Sequence, residues 1–233
     1  MISPEVWYRV TKPVSNSPGG QKQMKRYLAV AVATTLIAAA AAATVAAQAP
    51  GWKQRIDAST SATDPDPAGQ VKFMAMGGGF HTSNPQAATY WNPKNTAAGN
   101  YTLKATFAQN ARSSHTNYLG LLFGGKDLEG ANQTYTYFLV APQNGTWLVK
   151  QRVGEQIKDI SRGKHASIVQ LDAGGKATNT LEVRVTADKV DYVVNGMVVG
   201  SSPKAAVTTD GIYGFRVNHA LPDNMITDLS LSK

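Results

Sequence analysis

The chain has 233 residues, 23 of them basic and 15 acidic, which gives a formal net charge of +8 at neutral pH. It contains no cysteine, so disulfide bonds, cysteine nucleophiles and thiolate metal sites are excluded. The basic residues are scattered rather than clustered among aromatic residues, so the sequence predicts no nucleic-acid partner. The chain is long enough to bury a core without covalent cross-links.

The N-terminal region predicts export. Met24-Lys25-Arg26 precedes a run of apolar residues and threonine, 27–45, that is dominated by alanine and followed by small residues. This order is typical of a secretory signal peptide, so we assign residues 24–47 to it, with cleavage after Ala47. The alternative is an uncleaved transmembrane anchor, because the run is about long enough to cross a bilayer. We expect no other contact with a membrane.

The segment before the signal, 1–23, is polar and rich in proline, serine and glycine. We interpret it as an over-extended start, with Met24 as the initiator; if it is translated, we expect a disordered tail. Five basic residues and one acidic residue precede Gln48, so cleavage would reduce the net charge from +8 to +4. The remaining residues, 48–233, are predicted to form a single domain. An alanine-rich signal without disulfides is typical of a bacterial product, periplasmic or extracellular.

After the leader, helical periodicity is almost absent, and short alternating apolar runs are separated by Gly, Pro, Asn and Asp. This pattern predicts an all-β fold, a sandwich of two antiparallel sheets in jelly-roll form. The expected strands, in chain order, are 52–58, 71–76, 89–91, 101–107, 118–123, 134–140, 146–153, 156–160, a meander over 180–202, 211–218 and 225–231.

Local chemistry predicts one hairpin turn, one strand end and one loop. Asn195-Gly196 lies between two alternating runs, which is the pattern of a type I′ hairpin, because both central residues need positive φ. Asn92-Pro93 is expected to stop the strand 89–91, since proline cannot donate to a ladder. Residues 80–82, after three glycines, are expected to lead into an Asn-Pro loop, with His81 in a glycine-flanked loop.

Five segments together resemble a known superfamily. They are Gly-Leu-Leu-Phe-Gly-Gly (120–125), Tyr-Thr-Tyr-Phe-Leu-Val (135–140), Asn-Thr-Leu-Glu-Val-Arg-Val (179–185), Asp-Tyr-Val-Val-Asn-Gly (191–196) and Gly-Ile-Tyr-Gly-Phe-Arg-Val (211–217). In this order they resemble the concanavalin A-like lectin/glucanase superfamily, and within it laminin-G-like modules and the 3-keto-disaccharide hydrolase family. The resemblance implies a jelly roll with a curved sheet whose concave face receives a glycan.

The Glu-x-Asp-x-x-Glu strand of laminarinase-type glucanases does not occur in this sequence. We therefore favour a non-catalytic carbohydrate-binding or glycan-associated domain whose partner is a poly- or oligosaccharide. One alternative is a glycoside-cleaving hydrolase or lyase resembling the 3-keto-disaccharide family, in which His81, Arg216 and His219 would converge with an acid such as Glu129 or Glu155. Another is a structural or adhesion domain.

Five residues are candidates for ligand binding. Arg216 and Asn218 share the polar face of their strand and could hydrogen-bond sugar hydroxyls or a carboxylate. Trp91 could stack on a pyranose ring, and His81 and His219 could act as ligand-binding groups. The alternative for each is structural: a solvated polar face, a core tryptophan, or a surface histidine.

Metal binding has only weak sequence support. Asp64 and Asp66 carry the hard oxygen atoms that calcium prefers. Their spacing around a proline is not that of a dedicated calcium loop. We therefore predict no metal site and no other cofactor.

Overall fold

Two antiparallel sheets of seven strands each make up the described part of the chain. The structure, a computed structural model, describes residues 49–59, 62, 65–113, 116–219 and 223–233. The predicted segments 1–23 and 24–47, together with Asp64, lie outside these residues. Among the described residues, no helix has the length and apolar character needed to cross a membrane.

The strands, in chain order, are β1 (Lys53–Asp57), β2 (Lys72–Met76), β3 (Gly79–Ser83), β4 (Ala87–Ala97), β5 (Tyr101–Gln109), β6 (Tyr118–Lys126), β7 (Thr134–Ala141), β8 (Thr146–Val153), β9 (Gln156–Lys164), β10 (Ala177–Val185), β11 (Lys189–Val194), β12 (Met197–Pro203), β13 (Gly211–Asn218) and β14 (Asn224–Ser232). The front sheet has the order β1-β4-β13-β6-β7-β8-β9, and the back sheet has the order β12-β11-β10-β5-β14-β3-β2. Within the described ranges, the single helical segment is a 3-10 turn, Lys204–Ala206.

The main core lies between the two sheets and follows the predicted alternation. In β10, Leu181, Val183 and Val185 are buried while their neighbours are more exposed. In β13, Phe215 belongs to an aromatic cluster with residues of both sheets, including Tyr90, whose ring centroid is 5.1 Å away. Period-two burial against a facing sheet is the physical basis of a sandwich. The predicted all-β fold with two antiparallel sheets is confirmed.

Glycine-containing turns set two hairpins. Asn195 and Gly196, with φ of 50° and 83°, join β11 to β12 as predicted. Gly77 and Gly78, with φ of 63° and 79°, join β2 to β3 in the same way. Residues 80–82 do lead into a connection at Asn84-Pro85 as expected, but they belong to β3 and pair with β2 and β14. The expectation of a loop around His81 is therefore wrong, because this histidine lies on a strand.

Asn92-Pro93 does not end its strand, since β4 continues to Ala97. The pairing of β4 with β13 skips from Trp91 to Thr96, and its pairing with β1 extends only to Trp91. The proline therefore falls in a bulge, where no ladder donor is required. The prediction failed because it considered only the local chain and not the partner strands.

The front sheet is strongly curved. Arg152 Nη1 in β8 lies 3.4 Å from Asp57 Oδ2 in β1, although four strands separate β1 from β8 in the sheet. In a flat sheet those strands would lie about 24 Å apart, at roughly 4.8 Å per strand. An aspartate and an arginine side chain cannot close that gap, so the sheet curls. The front face, meaning the side of the front sheet that faces away from the back sheet, is therefore concave.

We expect the protein to lose stability between about pH 10 and pH 12. Burial raises the pKa of Tyr137 and of Tyr192 to about 12 each, whereas a tyrosine in an unfolded chain ionises near pH 10. The folded state therefore keeps protons that the unfolded state loses in this window, and the free energy of unfolding falls as pH rises through it. Urea unfolding at a series of pH values, with phenolate absorbance of the native protein, measures this effect. Ionisation of all native tyrosines near pH 10 would contradict it.

Candidate functional site

The floor of the front face is a second apolar cluster, separate from the main core. Its buried members are Trp91, Leu122, Leu128, Tyr135, Tyr137 and Leu139. They come from β4, β6, β7 and the connection between β6 and β7. A sheet face that is buried in this way can support charged side chains above it at low dielectric.

An ion pair lies on this floor. Arg216 of β13 donates from Nη1 to Asp57 Oδ2 at 2.5 Å and to the phenol oxygen of Tyr135 at 3.1 Å. Its guanidinium carbon also lies 5.3 Å from the centre of the Tyr137 ring, within the range of a cation–π contact. The side chains of Arg216 and Asp57 are only 6% and 11% exposed, so each charge depends on the other for compensation.

Two further arginines surround the same carboxylate. Arg55 Nε lies 3.4 Å from Asp57 Oδ1, and Arg152 Nη1 lies 3.4 Å from Asp57 Oδ2. Gln133, with its amide oxygen turned toward these cations, accepts from Arg55 Nη2 at 2.9 Å and from Arg152 Nε at 3.2 Å. Backbone oxygens of the neighbouring turns hold the two arginines as well, through Arg55 Nη1 to Gly130 and Arg152 Nε to Gly154. The cluster is therefore preorganised by the protein.

A cavity of about 620 Å³ opens at this cluster, and we call it the arginine cavity. Its lining residues are Arg55, Ile56, Asp57, Ala58, Ser59, Arg152, Glu155, Ile157 and Arg216. Ile56 and Ile157 are 44% and 50% exposed, so the cavity has apolar walls beside its charges. Three arginines against one aspartate and one glutamate leave the lining with a formal charge of +1.

The Tyr135 phenol and the Arg216 guanidinium keep their ordinary charge states. Burial would lower the pKa of Arg216, but Tyr135, Asp57 and Tyr137 together raise it above the usual range. Burial also raises the pKa of Tyr135, against the opposing effect of Arg216. The arginine is therefore cationic and the phenol neutral at physiological pH. Tyr135 can then donate to Asp57 Oδ2, which lies 3.5 Å from its oxygen.

The structure separates the five residues that the sequence suggested. Arg216 lines the arginine cavity. Trp91 is 1% exposed and belongs to the floor, so its ring presents no face on which a sugar could stack. Asn218 ends β13 beside Tyr118 of β6, with a buried Oδ1, and does not line the cavity.

The two candidate histidines lie elsewhere. His81 is in β3 of the back sheet, with Nδ1 3.0 and 3.1 Å from the two carboxylate oxygens of Asp223. His219 follows β13 with a φ of 48°, and its Nε2 lies 3.1 Å from Asp66 Oδ1. Neither histidine lines the arginine cavity.

Sequence reasoning missed the residues that meet Arg216. Arg55 and Asp57 are two positions apart on β1, and Lys150 and Arg152 are two apart on β8. Such spacing places each pair on one face of its strand, which was the available sequence signal. Charged pairs at this spacing also occur on ordinary solvated strands, so the spacing alone does not identify a site.

The described residues offer no cluster of three or more histidine, cysteine, aspartate or glutamate side chains arranged to hold a metal ion. Asp66, one of the two candidate calcium ligands, instead accepts from the backbone N–H of Ser59 at 2.6 Å through Oδ2. Its other oxygen faces His219. A calcium site at this loop therefore remains without structural support.

Replacing Asp57 with alanine should strongly destabilise the fold. The change leaves Arg216 buried without its carboxylate, and breaking a buried pair in this way costs about 3–5 kcal/mol. Chemical denaturation measures the effect. Asp159→Ala is the matched control: this carboxylate also meets two cations, Lys150 and Arg162, but is 49% exposed, so its removal should cost less than about 1 kcal/mol. Equal effects of the two changes would contradict the role of Asp57.

Comparisons with known proteins place the fold. No family model matches the chain, and no curated protein matches its sequence significantly. Among solved structures, the carbohydrate-binding module CBM66 from Bacillus subtilis matches with a TM-score of 0.56 and 10% identity, over 78% of this chain and 96% of that one. A Bacillus subtilis protein of unknown function with a galectin-like fold matches with a TM-score of 0.52 and 13% identity, over 77% and 88%. The described domain therefore shares the β-sandwich fold of these two structures.

Proposed function

We propose that this chain is an exported, non-catalytic carbohydrate-binding domain whose sugar site is the arginine cavity. The fold supports the carbohydrate-binding class, because both matched structures share it and one of them is a carbohydrate-binding module. Fold alone does not determine function, however. The position and chemistry of the cavity therefore carry the proposal.

The observation that carries it is the set of rigid hydrogen-bond donors at the concave face. Arg55, Arg152 and Arg216 converge in one cavity and are fixed by protein acceptors. A guanidinium presents several N–H groups in a planar fork, which suits oxygen-rich ligands. The cavity volume falls within the range of small-molecule sites. The exposed faces of Ile56 and Ile157 can pack against the C–H surface of a sugar ring.

The geometry favours binding over glycoside cleavage. The enzyme hypothesis, based on resemblance to the 3-keto-disaccharide hydrolase family, requires histidine and a carboxyl group near one another. Glu155 shares the cavity with Arg216, but His81 and His219 lie outside the lining. Asp57, the other carboxylate of the lining, is paired with three guanidinium groups of the protein.

Filling the cavity should weaken glycan binding strongly. Ala58 is exposed in the cavity lining, so Ala58→Trp places a large ring in the ligand space without disturbing the core. We expect the wild-type protein to give positive spots on a broad glycan array. The variant should bind the same glycans at least about tenfold more weakly, since ligand and ring cannot occupy one volume.

The matched control is Ala205→Trp. This alanine is also exposed, but it lies in the 3-10 turn Lys204–Ala206 and does not line the arginine cavity. It should bind like the wild type, and both variants should keep the wild-type unfolding midpoint. An array without signal for the wild-type protein would refute the proposed function. Unchanged binding by Ala58→Trp would move the site away from the arginine cavity.

Export predicts a defined N-terminus. If residues 24–47 are a signal peptide, the protein recovered from a bacterial periplasm or medium should begin at Gln48, because small residues precede that bond. N-terminal sequencing of the recovered protein measures this directly. Replacing Ala47 with arginine should block processing at this bond, whereas Gln48→Asn should leave it intact. Recovery of an uncleaved, membrane-attached chain would instead support the anchor alternative.

A further inference from the structure

The arginine cavity has more positive charge and more donors than the protein itself satisfies. Among the described residues, the Asp57 carboxylate meets Arg216 Nη1, Arg152 Nη1 and the Tyr135 phenol through Oδ2, and Arg55 Nε through Oδ1. A carboxylate occupied in this way has little capacity left to accept hydrogen bonds from sugar hydroxyls. Asp57 therefore adds little to the binding of sugar hydroxyls, which leaves Glu155 as the other carboxylate of the lining.

The N–H donors of the three arginines, in contrast, are only partly occupied by protein acceptors. The hydrogen bonds that Arg216 makes within the described structure leave only from Nη1, and its buried Nε has no hydrogen-bond partner. Three guanidinium groups carry about fifteen N–H donors in total, and a few carboxylate, amide and backbone oxygens receive some of them. The remaining donors and the net positive charge of the lining favour an oxyanion as the ligand. Guanidinium groups bind oxyanions through charge-assisted, forked hydrogen bonds.

A second basic cavity adjoins the first on the same strand. It has a volume of about 470 Å³, and its lining includes Lys150, Arg162 and Lys164. Asp159 pairs with Lys150 and Arg162 from outside the lining, which leaves an excess of positive charge there. Lys150 and Arg152, which line the two cavities separately, are two positions apart on β8. They therefore share a face at a spacing of about 7 Å. The cations of the two cavities thus follow one another along the strand.

We propose that the arginine cavity selects sugars that carry an oxyanion group, a carboxylate or a sulfate, and that an acidic glycan chain extends from it along β8 to Lys150 and Arg162. This inference rests on the proposed function, and it names the chemical class of the ligand. The oxyanion sits among Arg55, Arg152 and Arg216 in the arginine cavity. The next acidic units meet the cations of the second cavity.

The test compares ligands that differ at one carbon. Galactose, galacturonic acid, its uncharged methyl ester and galactose 6-sulfate are titrated into the wild-type protein by calorimetry at one fixed ionic strength. We expect galacturonic acid or galactose 6-sulfate to bind at least about tenfold more tightly than galactose and the methyl ester, because only the anions form charge-assisted bonds.

Arg152→Gln should remove most of this preference, and Arg152→Lys should restore only part of it, because an ammonium group keeps the charge but not the fork. The control is Arg184→Gln, which makes the same charge change on the back sheet, where Arg184 pairs with Glu182. It should leave the affinity unchanged. Lys150→Gln should weaken binding of oligogalacturonides severalfold but not that of galacturonic acid.

Each outcome has a distinct meaning. Equal binding of galactose and galacturonic acid would overturn the oxyanion inference and leave the carbohydrate-binding proposal intact. Failure of every sugar and every glycan on the array to bind would refute the proposed function, and the inference with it. Equal losses in Arg152→Gln and Arg184→Gln would show that overall charge, not the cavity, attracts the anion, and would also overturn the inference.

Discussion

The ion pair between Arg216 and Asp57 is the interaction on which the front face depends. Arg216 lies on β13, the third strand of the front sheet, and Asp57 lies on the edge strand β1. Both side chains are almost fully buried. Each of these buried charges is stable only because the other charge compensates it. The pair therefore holds the edge strand toward the centre of the face, and Arg152 extends the connection to β8. The same cluster thus supplies the charge of the cavity and a contact that spans the curved face.

Much of the fold could be predicted from the sequence because its cause is local. Alternation in the segment around Leu181–Val185 produces a strand with one buried face, and Asn195-Gly196 tolerates the positive φ of a tight turn. Pro93 was misjudged because a bulge depends on which strands lie beside it. That information is spread over residues more than one hundred positions apart.

The candidate site was predictable only in part. Arg216 could be found because it lies on the polar side of a strongly alternating strand. Arg55, Asp57 and Arg152 could not be distinguished from solvated charges, since sheet order and curvature alone bring them together. Trp91 appeared to be a sugar platform, but the front face has an apolar cluster of its own that takes up the ring.

The edge strand β9 has a consequence for the protein at high local concentration. It lies at the free end of the front sheet, beside the arginine cavity, and carries Lys158, Asp159, Arg162 and Lys164. Charges along an edge oppose the addition of a strand from another molecule, because pairing would desolvate them and bring like charges together. Copies at high local concentration would therefore stay separate along this edge, and the arginine cavity beside it would stay uncovered.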